Sequence, residues 1–168
     1  MKIQISLVGN EILPVYYGVV KFPSDVLCLL CTKQSENVAR QAVQMAPKEV
    51  RTDVFIVDPY DVDSVKTAAS MAFERYPGDY VLNLTGGTKI MALSLVTADV
   101  AQNAEVVYFT QDGKVIDLKT GASTVHGLRL DLETMFRCTD NSVQSKMEVR
   151  EILSGRLDAA RSIALFMD

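Results

Sequence analysis

The sequence is poor in the residues that build metal and redox centres. It holds one histidine, His126, and three cysteines, Cys28, Cys31 and Cys138. Cys28 and Cys31 have CxxC spacing, but there is no second CxxC and His126 is distant in sequence. The pair also falls inside the apolar run LCLLC, and strand residues three apart point to opposite faces. Buried apolar cysteines are therefore expected in place of a zinc or redox site. An odd cysteine count without a secretory leader points to a reducing, cytoplasmic setting.

Other features are also missing. No apolar run approaches the roughly 20 residues needed to span a bilayer. Basic residues are not in excess: 17 Lys and Arg against 21 Asp and Glu give a net charge of −4. Bulk, sequence-independent binding to duplex nucleic acid needs a broad basic surface and is not expected, although a local basic pocket for a small anion is compatible with this charge. GxxxxGK[ST] and GxGxxG are both absent, so neither the P-loop nor the dinucleotide fingerprint is present, and no cofactor is implied. Hydrophobic residues, by contrast, make up 48% of the 168 positions. That is enough for one domain with a sizeable core, or one domain with an extension.

Taken in order, the chain alternates between strand and helix signals. Lys2 to Val8 places Ile3, Ile5 and Leu7 on one face of a first strand, ended by Gly9-Asn10. Ile12 to Phe22 reads as a helix with Pro14 in its first turn and Pro23 as its stop. Val26 to Cys31 is a continuous apolar run, the mark of a strand covered on both faces. Thr32 to Glu36 leads into a helix from about Ser35, a suitable N-cap, to Met45. Val54 to Val57 forms a third strand closed by Asp58-Pro59. Asp61 to Arg75 carries Val62, Val65, Ala68, Ala69, Ala72 and Phe73 at helical spacing. Glu105 to Phe109 is a fifth strand. Asp112-Gly113 turns it into an antiparallel return over Lys114 to Leu118, and Val125 to Leu130 is a candidate further strand.

The most informative stretch is DYVLNLTGGTKIMALS, Asp79 to Ser94. A short apolar strand follows the turn at Pro77-Gly78. It breaks at Thr85-Gly86-Gly87-Thr88-Lys89 and resumes as a helix through Ile90, Met91, Leu93, Leu95 and Val96. Paired glycines let the backbone approach a ligand closely or take positive φ. The helix N-terminus favours an anion. Lys89 in the first helical turn opposes the helix dipole, which hints at a task outside the helix. A bland alternative is a tight strand-to-helix turn in which glycine merely permits packing.

Four strand–helix alternations followed by hairpins define an α/β fold: a mostly parallel, doubly wound sheet with an antiparallel edge hairpin and a helical C-terminal extension. Ligands of such sheets bind beyond the carboxyl ends of the strands. Three polar strand ends meet there: Gly9-Asn10, Thr32 to Glu36, and Thr85 to Lys89, with Thr110-Gln111 beside them.

The run Asn83-Leu84-Thr85-Gly86-Gly87-Thr88-Lys89-Ile90-Met91 resembles that of the CARF family, the CRISPR-associated Rossmann fold domains that sense cyclic oligoadenylates. The similarity is to the subgroup attached to nuclease and other effector modules in type III CRISPR systems, which carries N-x-T-G-G-T-K-x-M after its fourth strand. Leu7-Val8-Gly9-Asn10, Ile12-Leu13-Pro14 and Thr32-Lys33-Gln34-Ser35 are similar too, so the resemblance covers roughly residues 1 to 135.

This resemblance implies a Rossmann-like sensor domain over 1–138 and a homodimer. A cyclic tetra-adenylate or hexa-adenylate would lie across its two-fold axis. The backbone of Gly9, Gly86 and Gly87 and the hydroxyls of Thr32, Thr85 and Thr88 would meet phosphate or ribose, and Lys89 would neutralise phosphate. Asn10, Gln34, Ser35 and Gln111 would read base edges or 2′-hydroxyls. Met91 closes the motif and joins this ligand-binding set. Tyr16 and Tyr17 could stack on adenine, with core packing the expected use of at least one.

Residues 139–168 are expected to be a helical linker or the start of a further effector module. Asp131 to Phe136 suits a short helix, Cys138 to Ser145 a loop, and Lys146 to Asp168 a helix broken at Ser154-Gly155. The apolar end Ser162 to Met167 fits a chain cut from a longer protein, a helix packed on a partner subunit, or one docked on its own core. Glu148, Glu151 and Asp158 read as a solvated face, not a nuclease cluster, so the output belongs to a fused or associated effector.

A ligand sensor in antiviral defence is the leading expectation. One alternative is a ring nuclease that cleaves its own cyclic oligoadenylate by metal-independent 2′-hydroxyl attack, with Lys89 at the oxyanion and no obvious general base. Another is a ligand-responsive transcription regulator whose DNA-binding module would begin at 141–168.

Overall fold

The computed structural model describes residues 1–128. Twelve elements alternate along them: β1 (Lys2–Leu7), α1 (Leu13–Lys21), β2 (Val26–Cys31), α2 (Glu36–Met45), β3 (Arg51–Ile56), α3 (Val62–Arg75), β4 (Asp79–Asn83), α4 (Lys89–Val96), a 3-10 turn (Asp99–Ala101), β5 (Glu105–Phe109), β6 (Lys114–Asp117) and β7 (Ser123–Val125). The expected elements over 131–136, 138–145 and 146–168, and Cys138 with them, lie outside the described residues.

All seven strands join one sheet in the order β3-β2-β1-β4-β5-β6-β7. β1 to β5 run parallel, β6 returns antiparallel beside β5, and β7 pairs antiparallel with β6. The chain winds outward from β1 to β3, then crosses back to place β4 on the other side of β1. The sheet is thus Rossmann-like and doubly wound, with its topological switch point between β1 and β4. At such a point two adjacent loops leave the sheet in opposite directions and open a crevice.

The covering helices follow from side-chain size. Ile3, Ile5 and Leu7 of β1 share one core with Leu82 of β4, Val65, Ala68, Ala69 and Ala72 of α3, and Met91 and Leu95 of α4. The alanines of α3 let its backbone lie close to the sheet. On the opposite face α1 packs beside α2. There Gly18 leaves room for two buried amides: a Cβ on it would stand 2.3 Å from Gln4 Nε2 and 2.6 Å from Asn83 Nδ2.

Three local expectations need correction. The alternation in β1 suggests a polar face, yet Gln4 and Ser6 are fully buried, and Gln4 Nε2 donates to Ser6 Oγ at 2.7 Å. A central strand has helices on both sides, so these polar side chains are buried under α1 and bond each other, while Gln4 Oε1 has no hydrogen-bond partner among the described residues. Ser35 stands at the N-cap position of α2 but caps nothing with its side chain; its hydroxyl donates to Val8 O at 3.0 Å instead. Among the described residues the last strand is Ser123–Val125, paired with Lys114 to Ile116 of β6; residues 126–128 are not strand, and 129 and 130 of the expected strand lie outside the described residues.

β2 is buried along its whole length, as its apolar run requires. Cys28 and Cys31 are free thiols within it. Burial pushes Cys28 up to about 12 and Cys31 up to about 11, which keeps both protonated and unreactive. Among the described residues no helix is long and apolar enough to cross a membrane, and no group of His, Cys, Asp and Glu is placed to hold a metal ion.

Candidate ligand-binding site

The loops after β1 and β4 meet backbone to backbone. A Cβ on Gly86 would lie 2.2 Å from Leu7 O and 3.0 Å from Gly9 N, and a Cβ on Gly9 would lie 3.1 Å from Gly87 N. Gly87 has φ of 74°, in the left-handed region, and rests over Leu7 Cβ and the Met91 side chain. The three glycines therefore serve the junction of the two loops directly. Side chains there would push the crevice apart.

The hydroxyls of the motif are turned inward. Thr85 Oγ1 donates to Asn83 Oδ1 at 2.7 Å and accepts from Phe109 N at 2.8 Å, tying β4 to β5. Thr88 Oγ1 accepts from Met91 N at 3.2 Å, which caps α4, and donates to Pro59 O at 2.8 Å. Thr32 and Ser35 bond each other, and Ser35 holds the β1 loop through Val8 O. Met91 is fully buried beneath Gly87.

What faces outward is a smaller set. Asn10, Gln34, Gly87, Lys89 and Gln111 are exposed, with Gly9 and Thr32 partly so. Lys89 is the first residue of α4, whose first turn carries no acid, and it forms no ion pair with any described residue. The acids of the surrounding loops have their own hydrogen bonds or ion pairs. Asp58 Oδ1 accepts from Tyr60 N and Asp61 Oδ1 from Asp63 N, each at 2.9 Å. Asp112 pairs with Lys114 at 2.6 Å, and that contact, with a hydrogen bond from Thr110, holds its carboxyl below the usual carboxylate range. An uncommitted cation beside helical N–H groups attracts an anion to this rim.

The structure thus brings Gly9, Gly86 and Gly87 together, with Asn10, Thr85, Thr88 and Lys89 beside them in the same two loops, and Ser35, bonded to Thr32, ties the loop that carries Gln34 to Val8. Gln111 stands two residues beyond the Phe109 N–H bound by Thr85 and lies at the flank. Tyr17 is committed to packing, with its ring 4.9 Å from His126 and 5.9 Å from Phe109. His126 Nδ1 accepts from Leu128 N at 3.1 Å.

Two features escaped the sequence-based expectations. Asn83 is fully buried. It supports the glycine loop through Thr85 N and Oγ1, and it reaches α1 by donating to Pro14 O at 2.8 Å. The loop after β3 also belongs to the rim, because Pro59 O is bound by Thr88. Asp58-Pro59 marks a strand end in sequence, but nothing local says which other loop it touches.

A cavity of about 380 Å³ opens at the opposite end of the sheet. Lys2, Lys21, Asp79 and Glu105 surround it. It lies at the amino ends of the parallel strands, away from the switch-point crevice, and its mixed charges single out no ligand.

A doubly wound sheet whose switch-point loops join through glycines and present an exposed lysine is the framework of a ligand-binding Rossmann-like domain. The Card1 CARF domain family matches residues 3–132, and the chain belongs to this family. Its fold is similar to Can2 from Sulfobacillus thermosulfidooxidans, solved in complex with cyclic tetra-adenylate. That match has a TM-score of 0.70 and 24% identity, and it covers 82% of this chain and 41% of that one. VC1899 from Vibrio cholerae matches with a TM-score of 0.64 and 9% identity over 82% of this chain and 39% of that one. A type III CRISPR defence DNA nuclease activated by cyclic oligoadenylate matches with a TM-score of 0.56 and 23% identity over 73% and 20%. The matched part is less than half of each of these proteins. No curated protein matches in sequence.

Proposed function

We propose that this chain is a cyclic oligoadenylate sensor. It binds cyclic tetra-adenylate ahead of the hexa-adenylate, in a pocket shared by two copies, and passes the resulting change to a fused or associated effector of type III CRISPR defence. The observation that carries this is the glycine junction of the β1 and β4 loops, with Asn10, Gly87 and Lys89 facing outward beside it. Family membership supplies the ligand class, and the Can2 complex favours the ring of four nucleotides.

The shared pocket rests on α4. Met91, Ser94 and Leu95 face its core, while Ile90, Leu93 and Val96 form a second apolar stripe that is exposed, Leu93 by 65%. A helix apolar on all sides is ordinarily covered on all sides. Because α4 starts at Lys89, a second copy packed on that stripe brings its own glycine loop and lysine alongside. A cyclic ligand with its own two-fold symmetry matches such an isologous pair. Asn10, Gln34 and Gln111 then serve as direct polar contacts. Thr32, Ser35, Thr85, Thr88 and Met91 shape the loops from within.

Calorimetry with cyclic adenylates of three, four and six units, and with linear tetra-adenylate, tests this. Tightest binding of the cyclic tetra-adenylate at one ring per two chains is expected, with the ligand recovered intact. Absence of binding to any ring removes the proposal, one ring per chain removes the shared pocket, and linear products would make the chain a ring nuclease.

A further inference from the structure

We propose that Tyr60 is a base-stacking residue of this site, its phenol ring lying against an adenine of the bound ring; this rests on the cyclic oligoadenylate reading above. Tyr60 is 78% exposed, more than any other large hydrophobic side chain among the described residues. It makes no ring contact with any described residue and takes no part in the core.

Its backbone is nevertheless held firmly. Tyr60 N donates to Asp58 Oδ1 at 2.9 Å, and Asp58 N donates to Ser64 Oγ at 3.0 Å. Pro59 restricts φ on the other side. Pro59 O accepts from Thr88 Oγ1 at 2.8 Å, so the residue before Tyr60 is bonded to the one before Lys89. An exposed aromatic on a fixed backbone loses little entropy when a ring settles on it. Most exposed side chains of that size are loosely held and cost more to order.

The chemistry of the ligand calls for such a group. Each unit of a cyclic oligoadenylate carries one phosphate and one adenine. Lys89 and the α4 N-terminus meet the phosphate but offer nothing to the face of a base. The Pro59–Thr88 bond places Tyr60 on the loop next to that phosphate position. Stacking on an aromatic face is how bases free of a duplex are held, and it adds affinity without reading base edges. Tyr60 therefore supplies base affinity, and Asn10 and Gln34 supply edge recognition.

The sequence contains no tryptophan, so Tyr60→Trp creates a single fluorescent reporter at this position. Stacking predicts quenched emission on titration with cyclic tetra-adenylate. Tyr60→Phe should bind as the wild type does. Tyr60→Ala should bind about five- to 150-fold more weakly while remaining folded and dimeric. Unchanged affinity in Tyr60→Ala overturns the assignment. So does unchanged tryptophan emission under conditions where calorimetry shows saturation. Loss of the dimer in Tyr60→Ala makes the residue an interface contact instead. If the wild type binds no cyclic adenylate, the sensor reading itself fails, and the Tyr60 assignment falls with it.

Discussion

Gly86 lies flat against the carbonyl of Leu7, so close that a Cβ on it would stand 2.2 Å from the oxygen. The loop after β4 is thus seated on the end of β1, and the crevice at the switch point has a rigid floor. Gly86→Ala should lower stability by about 1–3 kcal/mol, the usual cost of forcing extra volume into a packed site, and should weaken ligand binding as the loops separate. Gly121→Ala is the control. That position has φ of 74° with nothing within 4 Å of an added Cβ, so it should lose stability through backbone strain alone and keep its ligand affinity. Thermal unfolding and calorimetry on both variants separate the two effects.

Lys89→Ala should leave the melting temperature within about 1–2 °C of wild type, since its side chain is exposed and forms no ion pair with a described residue. Its affinity for cyclic tetra-adenylate should fall by about 10- to 150-fold, the loss of a charge-assisted hydrogen bond to phosphate. Raising the salt should weaken the wild type more than the variant. Equal affinities would take Lys89 out of the site.

Leu93→Glu tests the shared pocket from a residue of α4 outside both loops. A charge in the middle of the α4 stripe should make the chain monomeric in analytical ultracentrifugation and lower ligand affinity with it. A dimer that survives this change is built on some other surface.

Asp53 of β3 gives a pH prediction. Burial raises its carboxyl pKa. Hydrogen bonds from Tyr76 OH at 2.6 Å and Arg75 Nη1 at 2.8 Å outweigh this and hold the carboxyl below the usual range. A depressed folded-state value means the stabilisation is present above the unfolded carboxylate pKa and is lost as pH falls through the folded one. Asp53→Asn should therefore be less stable than wild type at neutral pH. The gap should narrow below about pH 4 as the wild-type carboxyl protonates. A gap constant with pH would show that the ionised form contributes nothing.

Much of this protein is legible in its sequence. The run from Val26 to Cys31 announces a strand covered on both faces, and Asp112-Gly113 announces the edge hairpin. The glycine-threonine-lysine run announces both its strand-to-helix turn and its family. These are local matters: hydrophobic period, turn chemistry and helix starts act over a few residues, so the sequence carries them openly.

Which loops touch was decided only in three dimensions. Thr85 and Thr88 read as ligand hydroxyls, yet they are spent on Phe109 and Pro59, partners more than twenty residues away. Ser35 reads as a helix cap and instead holds Val8. Such bonds depend on strand order, and strand order comes from the packing of helices on both sheet faces, not from neighbours in the chain. The sequence by itself determined that a glycine loop and a lysine stand at a helix start. The tertiary structure decided that Gly9 and Gly86-Gly87 form one junction, that Lys89 is exposed beside it, and that Tyr60 rises from the adjoining loop.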